Sequence, residues 1–276
     1  MRARVVTIVA GREIRSAIRG RWFIVGALSL ALLSIAVASL GMAGAERWGV
    51  SMLDRTAVAL LDLVLLFIPL LGLPLGAGSF AGEEEDGSLA YMVAQPVTRA
   101  EVFVGKLAGL IATMTLSLSI GFGSAAVVVG LSGGVPTVTF LALTAGAWLL
   151  AVVTVTLGAL LSVLARRRVR ALAAAIATWV VLVFLCDFGV LATASSEWLS
   201  AGGLFAIAVA NPVEAVKTLS ALAISERLEV LGPVGVHAVR VLGRAPLSAL
   251  LASSVLAWTA LSAGAAYLRF RKESLT

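Results

Sequence analysis

Six apolar stretches, each long enough to cross a bilayer, decide what this 276-residue chain can become. They lie at about Trp22–Ala43, Ala57–Phe80, Leu107–Leu131, Val138–Ala165, Ala171–Thr193 and Leu247–Leu268. About 20 apolar residues in a helix span the roughly 30 Å of hydrocarbon. Lipid offers backbone N–H and C=O groups no partner, so such segments must be helices or strands of a closed barrel. The runs are continuously apolar, without the period-two alternation of barrel strands. With 60% hydrophobic and 13% charged residues, the chain falls far from soluble composition. The predicted class is an all-α polytopic membrane protein with six transmembrane helices.

Lysine and arginine at the span ends set the expected orientation. Arg2, Arg4, Arg12, Arg15, Arg19 and Arg21 precede the first span, Arg166, Arg167, Arg168 and Arg170 follow the fourth, and Arg269, Arg271 and Lys272 follow the last. The intervening ends are poor in basic residues: the first loop holds Arg47 and Arg55, the third none. Both termini and the loop Gly82–Lys106 are therefore expected in the cytoplasm, the protein being multi-pass in the cell (inner) membrane. The net charge of +6 reflects this bias. No basic patch interleaved with aromatics points to nucleic acid. The first apolar run is too long for a cleavable signal and lacks a small-residue cleavage site.

Residues 4–19 predict an amphipathic helix, with Arg4, Arg12, Arg15 and Arg19 on one face and Val5, Val9, Ala10, Ile14, Ala17 and Ile18 on the rest. Such a helix lies in the headgroup layer and contacts membrane lipid. Its charged face is either a surface anchor or, in addition, a contact for a cytoplasmic partner. Span two carries Pro69 and Pro74, and small residues recur at four-residue spacing at Gly72/Gly76 and Ser117/Gly121/Ala125. That spacing favours close helix packing over a substrate site. Between spans five and six, the external segment 194–246 contains an apolar piece, Trp198–Ala210, too short to cross. It reads as a re-entrant or interfacial helix broken at Asn211-Pro212, followed by an amphipathic helix near Val213–Ile224 and a loop over Ser225–Ala245. Without a repeat or linker, one domain over residues 1–276 is the simplest count.

The side chains of familiar catalysis are not assembled. One histidine, His237, and one cysteine, Cys186, cannot make a zinc pair or a Cys-x-x-Cys motif. Gly105-Lys106 is followed by Leu107, so there is no phosphate-binding loop of the Walker type. No catalytic, cofactor-binding or metal-ligating residue is assigned. Two acids, Asp62 and Asp187, lie within spans near their external ends. They either reach the interface or serve an ion-coupled secondary carrier, whose acids would normally sit nearer the midplane.

The loop Gly82–Lys106 is built differently from its arginine-flanked neighbours. It opens with Glu83, Glu84, Glu85 and Asp86, of which Glu84 to Asp86 are expected to favour the N-terminus of a short helix through its dipole. Ser88–Ala94 supplies that helix, apolar enough to dock on a partner, and Pro96 stops it. Thr98 then caps the next helix with Glu101 three residues on, the capping-box spacing.

Gly-Glu-x-x-x-Gly-Ser-Leu at Gly82–Leu89, Gln-Pro-Val-Thr-Arg at Gln95–Arg99 and Gly105-Lys106 resemble the first cytoplasmic loop of ABC-2-type transporter permeases. The resemblance implies a permease subunit that works with a separate ATP-binding subunit, ATP and Mg belonging to that partner. It further implies a coupling helix seated on the ATPase, a homodimer of the permease, and external helices that could meet a periplasmic partner. The expected ATPase contact is Glu83, Glu84, Glu85, Asp86, Gly87, Ser88, Leu89, Pro96, Thr98 and Arg99, flanked by Arg4, Arg12, Arg15 and Arg19. Export of a drug, lipid or peptide is one transport class open to such a chain.

Overall fold

A computed structural model describes residues 2–48, 51–93, 96–131, 137–194, 201–224 and 238–272. Helix is the only regular element among them. In chain order they form α1 (Ala3–Arg19), α2 (Arg21–Trp48), α3 (Ser51–Glu85), α4 (Ser88–Val93), α5 (Arg99–Leu131), α6 (Thr137–Ala165), α7 (Arg168–Ala194), α8 (Ala201–Ala210), α9 (Pro212–Ile224) and α10 (Arg244–Lys272). Trp198, His237 and most of the predicted loop Ser225–Ala245 lie outside the described residues.

Six crossings were expected. Among the described residues, four helices are long and apolar enough: Ala59–Glu85, Arg99–Val128, Val138–Ala165 and Arg244–Lys272. A fifth crossing results if α1 and α2, bent by 69° between Ala3–Arg19 and Phe23–Ser39, count as one. The bend falls at Gly20, whose extended backbone (φ −71°, ψ 132°) ends α1 while its N–H donates to the Ala17 carbonyl. The amphipathic segment is thus a helix set at a steep angle to the apolar helix that follows.

The bundle is organised around the contact of α3 with α6. Gly72, Gly76 and Gly158 bring the two backbones together. A Cβ on Gly76 would lie 2.4 Å from the Val155 carbonyl oxygen, and one on Gly158 would lie 2.3 Å from that of Leu73. Nothing larger than hydrogen fits there. The spacing seen at Gly72/Gly76 is therefore a packing surface, and Gly121 does similar work against Leu30 of α2.

Close approach also lets α6 hydrogen-bond to α3. The Ser162 hydroxyl accepts from Phe80 N (3.0 Å) and Ala81 N (2.8 Å) and donates to the Ala77 carbonyl (2.6 Å). The contact falls a turn and a half past Pro74, inside α3. Three hydrogen bonds between the helices pass through this one hydroxyl. We predict that Ser162→Ala lowers stability by about 1 kcal/mol or more in thermal unfolding, because each interhelical hydrogen bond lost costs about 0.5–1.5 kcal/mol. The buried Ser220 hydroxyl has no hydrogen-bond partner, so Ser220→Ala should be neutral or stabilising in the same thermal unfolding assay.

Side chains supplement the backbone hydrogen bonds at the break between α8 and α9, where Asn211 N donates to Ile207 O and Ala215 N to Asn211 O. Asn211 donates from Nδ2 to the Leu182 carbonyl of α7 (2.6 Å), and its Oδ1 accepts from Val213 N (2.9 Å). Pro212 occupies the first helical position, where a missing N–H costs nothing. From α10, Ser254 Oγ donates to Val209 O (2.6 Å) and Trp258 Nε1 to Ala210 O (2.8 Å). Leu182 lies roughly 20 Å along α7 from its start. A helix break at that depth needs this capping, since lipid would supply none. The broken helix pair expected from Asn211-Pro212 is present in this form.

Candidate coupling site

One end of the bundle gathers the C-termini of α3, α6 and α10 with the N-termini of α5 and α7, and α4 crosses it. The acid run does not begin α4, as its dipole reading required. Glu83, Glu84 and Glu85 are the last residues of α3, and only Asp86 and Gly87 separate the two helices. Carboxylates at a helix C-terminus are disfavoured by its dipole, so cations and free N–H groups must answer them. Glu85 Oε2 accepts from Arg168 N (3.0 Å), capping the start of α7. Gly87 turns the chain with φ +73°, a left-handed backbone that only glycine adopts freely.

Glu83 turns inward. Lys106, fully buried on α5 at 0% exposure, places Nζ 2.8 Å from Glu13 Oε2 and 2.9 Å from Glu83 Oε2. The first contact is an aligned hydrogen bond; the second is an ion contact, leaving Glu83 Oε2 without an aligned donor. The Phe80 ring lies 5.2 Å from the same ammonium, within cation–π range. Arg12 completes the cluster, with one guanidinium nitrogen 3.3 Å from Glu83 Oε1 and another 2.8 Å from Met92 Sδ on α4. Two acids and two bases thus join α1, α3, α4 and α5.

The sequence reading missed Glu13 and the seating of α1 on α5. Two glycines allow it: a Cβ on Gly105 would lie 2.7 Å from Val9 Cβ, and one on Gly109 would lie 2.6 Å from Glu13 Cβ. The signal was present as Gly-x-x-x-Gly at Gly105–Gly109, together with a lone acid in an otherwise basic helix.

α4 is held from below. Leu89 is buried in a cluster with Phe80 (α3), Val102 and Phe103 (α5), Val163 (α6) and Phe270 (α10). Phe80 packs on Phe103 and Phe270 with ring centroids 5.5 and 5.4 Å apart. Four long helices therefore feel any displacement of Leu89. Its neighbour Tyr91 points the other way and is 72% exposed. A groove of about 450 Å³ between α1 and α4 is lined by Ile8, Val9, Tyr91, Met92 and Val97.

The capping box forms as its spacing required. Thr98 Oγ1 accepts from Glu101 N (3.2 Å), and Glu101 Oε2 accepts from Thr98 N (2.9 Å). Glu101 also accepts from Arg2 N (2.6 Å), and the Arg2 guanidinium donates to the Pro96 carbonyl. Arg99 donates to the carbonyls of Phe270 (3.2 Å) and Arg271 (2.9 Å) at the end of α10.

The predicted contact set therefore divides. Glu83 and Leu89 face inward, Glu85 and Arg99 cap neighbouring helices, and Glu84 and Ser88 are half-buried. Asp86, Gly87, Pro96 and Thr98 are exposed, as are Arg4, Arg12, Arg15 and Arg19 on α1. Asp62 is exposed on α3 and has an interaction partner. The side chain of Asp187 lies outside the described residues.

Among the described residues the chain is an all-helical bundle with several helices apolar enough to span a membrane and a short helix braced across one end, an arrangement that suits the membrane subunit of a transporter. The ABC-2 family transporter proteins match it over residues 7–275, and the chain belongs to that family. Among curated proteins, it is 34% identical over 125 residues to the probable ABC transporter permease protein NosY of Pseudomonas aeruginosa, covering 45% of this chain and 46% of that protein. It is 31% identical over 123 residues to the NosY of Stutzerimonas stutzeri, covering 45% of each. The alignments thus span a little under half the length of these relatives.

Proposed function

We propose that the chain is the permease half of an ATP-driven transporter, whose α1–α4 end receives the motion of a separate ATP-binding subunit. The observation that carries this is the two-sidedness of α4: Leu89 is locked into four long helices while Tyr91 is presented outward beside an open groove. A partner seated on Tyr91, Asp86 and the exposed side of α1 would push on the aromatic cluster, and through it on α3, α5, α6 and α10. This end is cytoplasmic by the arginine distribution. Two such chains would pair to give six plus six spans, each with one ATPase.

The likeness to NosY permeases supports a finer proposal, action in maturing the copper sites of nitrous oxide reductase. The scarcity of Cys, His and Met disfavours copper itself as cargo, because soft metal ions need such ligands. Export of another species, or mechanical action on a periplasmic partner at α8–α9, fits that composition. The test is co-purification with the cognate ATP-binding subunit. Tyr91→Asp combined with Ile8→Asp should abolish the complex while the permease stays monodisperse; a complex with native ATP turnover would refute the assignment.

A further inference from the structure

A second cavity, of about 420 Å³, opens at the elbow between α1 and α2, against α3 and α7. Its floor is bare backbone. A Cβ on Gly78 would meet nothing within 4 Å, and one on Gly82 would meet only Arg168 Cδ at 3.7 Å. These glycines are not required by packing, unlike Gly76 and Gly158, and their effect is to leave room. The polar lining is mixed, with Glu13, Glu83 and Asp86 against the single cation Arg168.

Below the charges the lining becomes apolar at Phe23, Leu172 and Ile176. Beyond the cavity, exposed Val180 follows exposed Ile176 one turn on along α7, and exposed Ile24 and Leu28 follow Phe23 on α2. Both helices pack on α3, and exposed apolar residues on such helices are the surface a bundle offers to lipid chains. A headgroup pocket with an acyl channel has this layout. A soluble cation would need only the mouth.

We propose that this cavity binds one phospholipid with a zwitterionic amine headgroup, the phosphatidylethanolamine type. The phosphate meets Arg168, the ammonium meets Asp86, and a chain follows Phe23, Leu172 and Ile176. Glu13 and Glu83 share the buried Lys106, which does not line the cavity. That leaves one acid and one base, Asp86 and Arg168, to meet the two charges of a zwitterion, whereas a purely anionic headgroup such as phosphatidylglycerol would leave Asp86 unanswered, although the arginines elsewhere at this end attract one. The site rests on the membrane assignment alone and goes beyond the ATPase contact.

The test is native mass spectrometry of the full chain from micelles holding equal parts phosphatidylethanolamine and phosphatidylglycerol. Retention of phosphatidylethanolamine over phosphatidylglycerol is expected. Gly78→Leu should weaken that retention about tenfold or more, with thermal unfolding unchanged or raised, whereas Gly123→Leu, at another glycine with open space, should not. Asp86→Lys should turn the preference toward phosphatidylglycerol. Undiminished retention in Gly78→Leu, equal retention of both lipids, or an unchanged preference in Asp86→Lys would overturn the proposal. ATP hydrolysis enters none of these readouts, so their failure would leave the coupling assignment standing.

Discussion

Gly158→Leu should leave almost no folded protein in the membrane, and Gly76→Ala alone should cost about 3 kcal/mol or more. A Cβ at Gly76 meets Val155 O at 2.4 Å, Ala159 N at 2.8 Å and Gly158 C at 2.9 Å. All three are backbone atoms in the middle of α6 and cannot rotate away. Relief requires separating α3 from α6, which would also pull Ser162 off Phe80 N and Ala81 N. Overpacking by a methyl group typically costs about 1–3 kcal/mol where side chains can yield; here the cost lies at or beyond the upper end. Gly78→Leu, only two residues away, faces open space and exchanges a poor helix former for a good one, a gain of about 0.8 kcal/mol. Size-exclusion profiles and thermal unfolding of the three variants should separate them clearly. Similar behaviour of Gly76→Ala and Gly78→Leu would show that the two helices do not touch as described.

Lys106→Met should be the most damaging single change at the coupling end. Lys106 is fully buried and neutralises Glu13 and Glu83, of which only Glu83 keeps another cation, Arg12, at 3.3 Å. Removing one partner of a buried ion pair costs about 3–5 kcal/mol, mostly from the charge left behind. Replacing the whole set with apolar or neutral groups is often tolerated. The triple change Lys106→Met, Glu13→Leu, Glu83→Gln should therefore recover most of the lost stability. Hydrogen exchange should report where the damage falls: α1 amides over residues 3–19 lose protection in the single variant and regain it in the triple. If Lys106→Met unfolds at the native temperature with α1 still protected, the cluster does not fasten α1 to the bundle.

Much of this architecture was legible because it rests on local or periodic chemistry. Thr98 and Glu101 form their capping box from a three-residue spacing, and Asn211-Pro212 breaks a helix wherever it falls. The glycines at 72 and 76 announce a close neighbour without naming it. What remained hidden depends on which faces meet. Glu13 and Lys106 are 93 residues apart, and each alone reads as a solvated charge. Only the approach of α1 over Gly105 and Gly109 buries them together. The acid run misled for a related reason: its charge fits a helix start, but the apolar run before it continues as helix through Glu85. The cost of acids there is met by Arg168, Lys106 and Arg12, contributed by three other helices. Leu89 belongs to an apolar segment that could have faced a partner, and the aromatic cluster beneath claimed it instead.

Covalent capture from the α4 surface tests the central claim most directly. A photo-reactive amino acid at Tyr91 is compared with one at Val138, equally exposed at 72% but on the first turn of α6, in membranes containing the cognate ATP-binding subunit. The account predicts a permease–ATPase adduct from position 91, altered by ATP, and none from position 138. An adduct absent at 91, or equal at both positions, would contradict it.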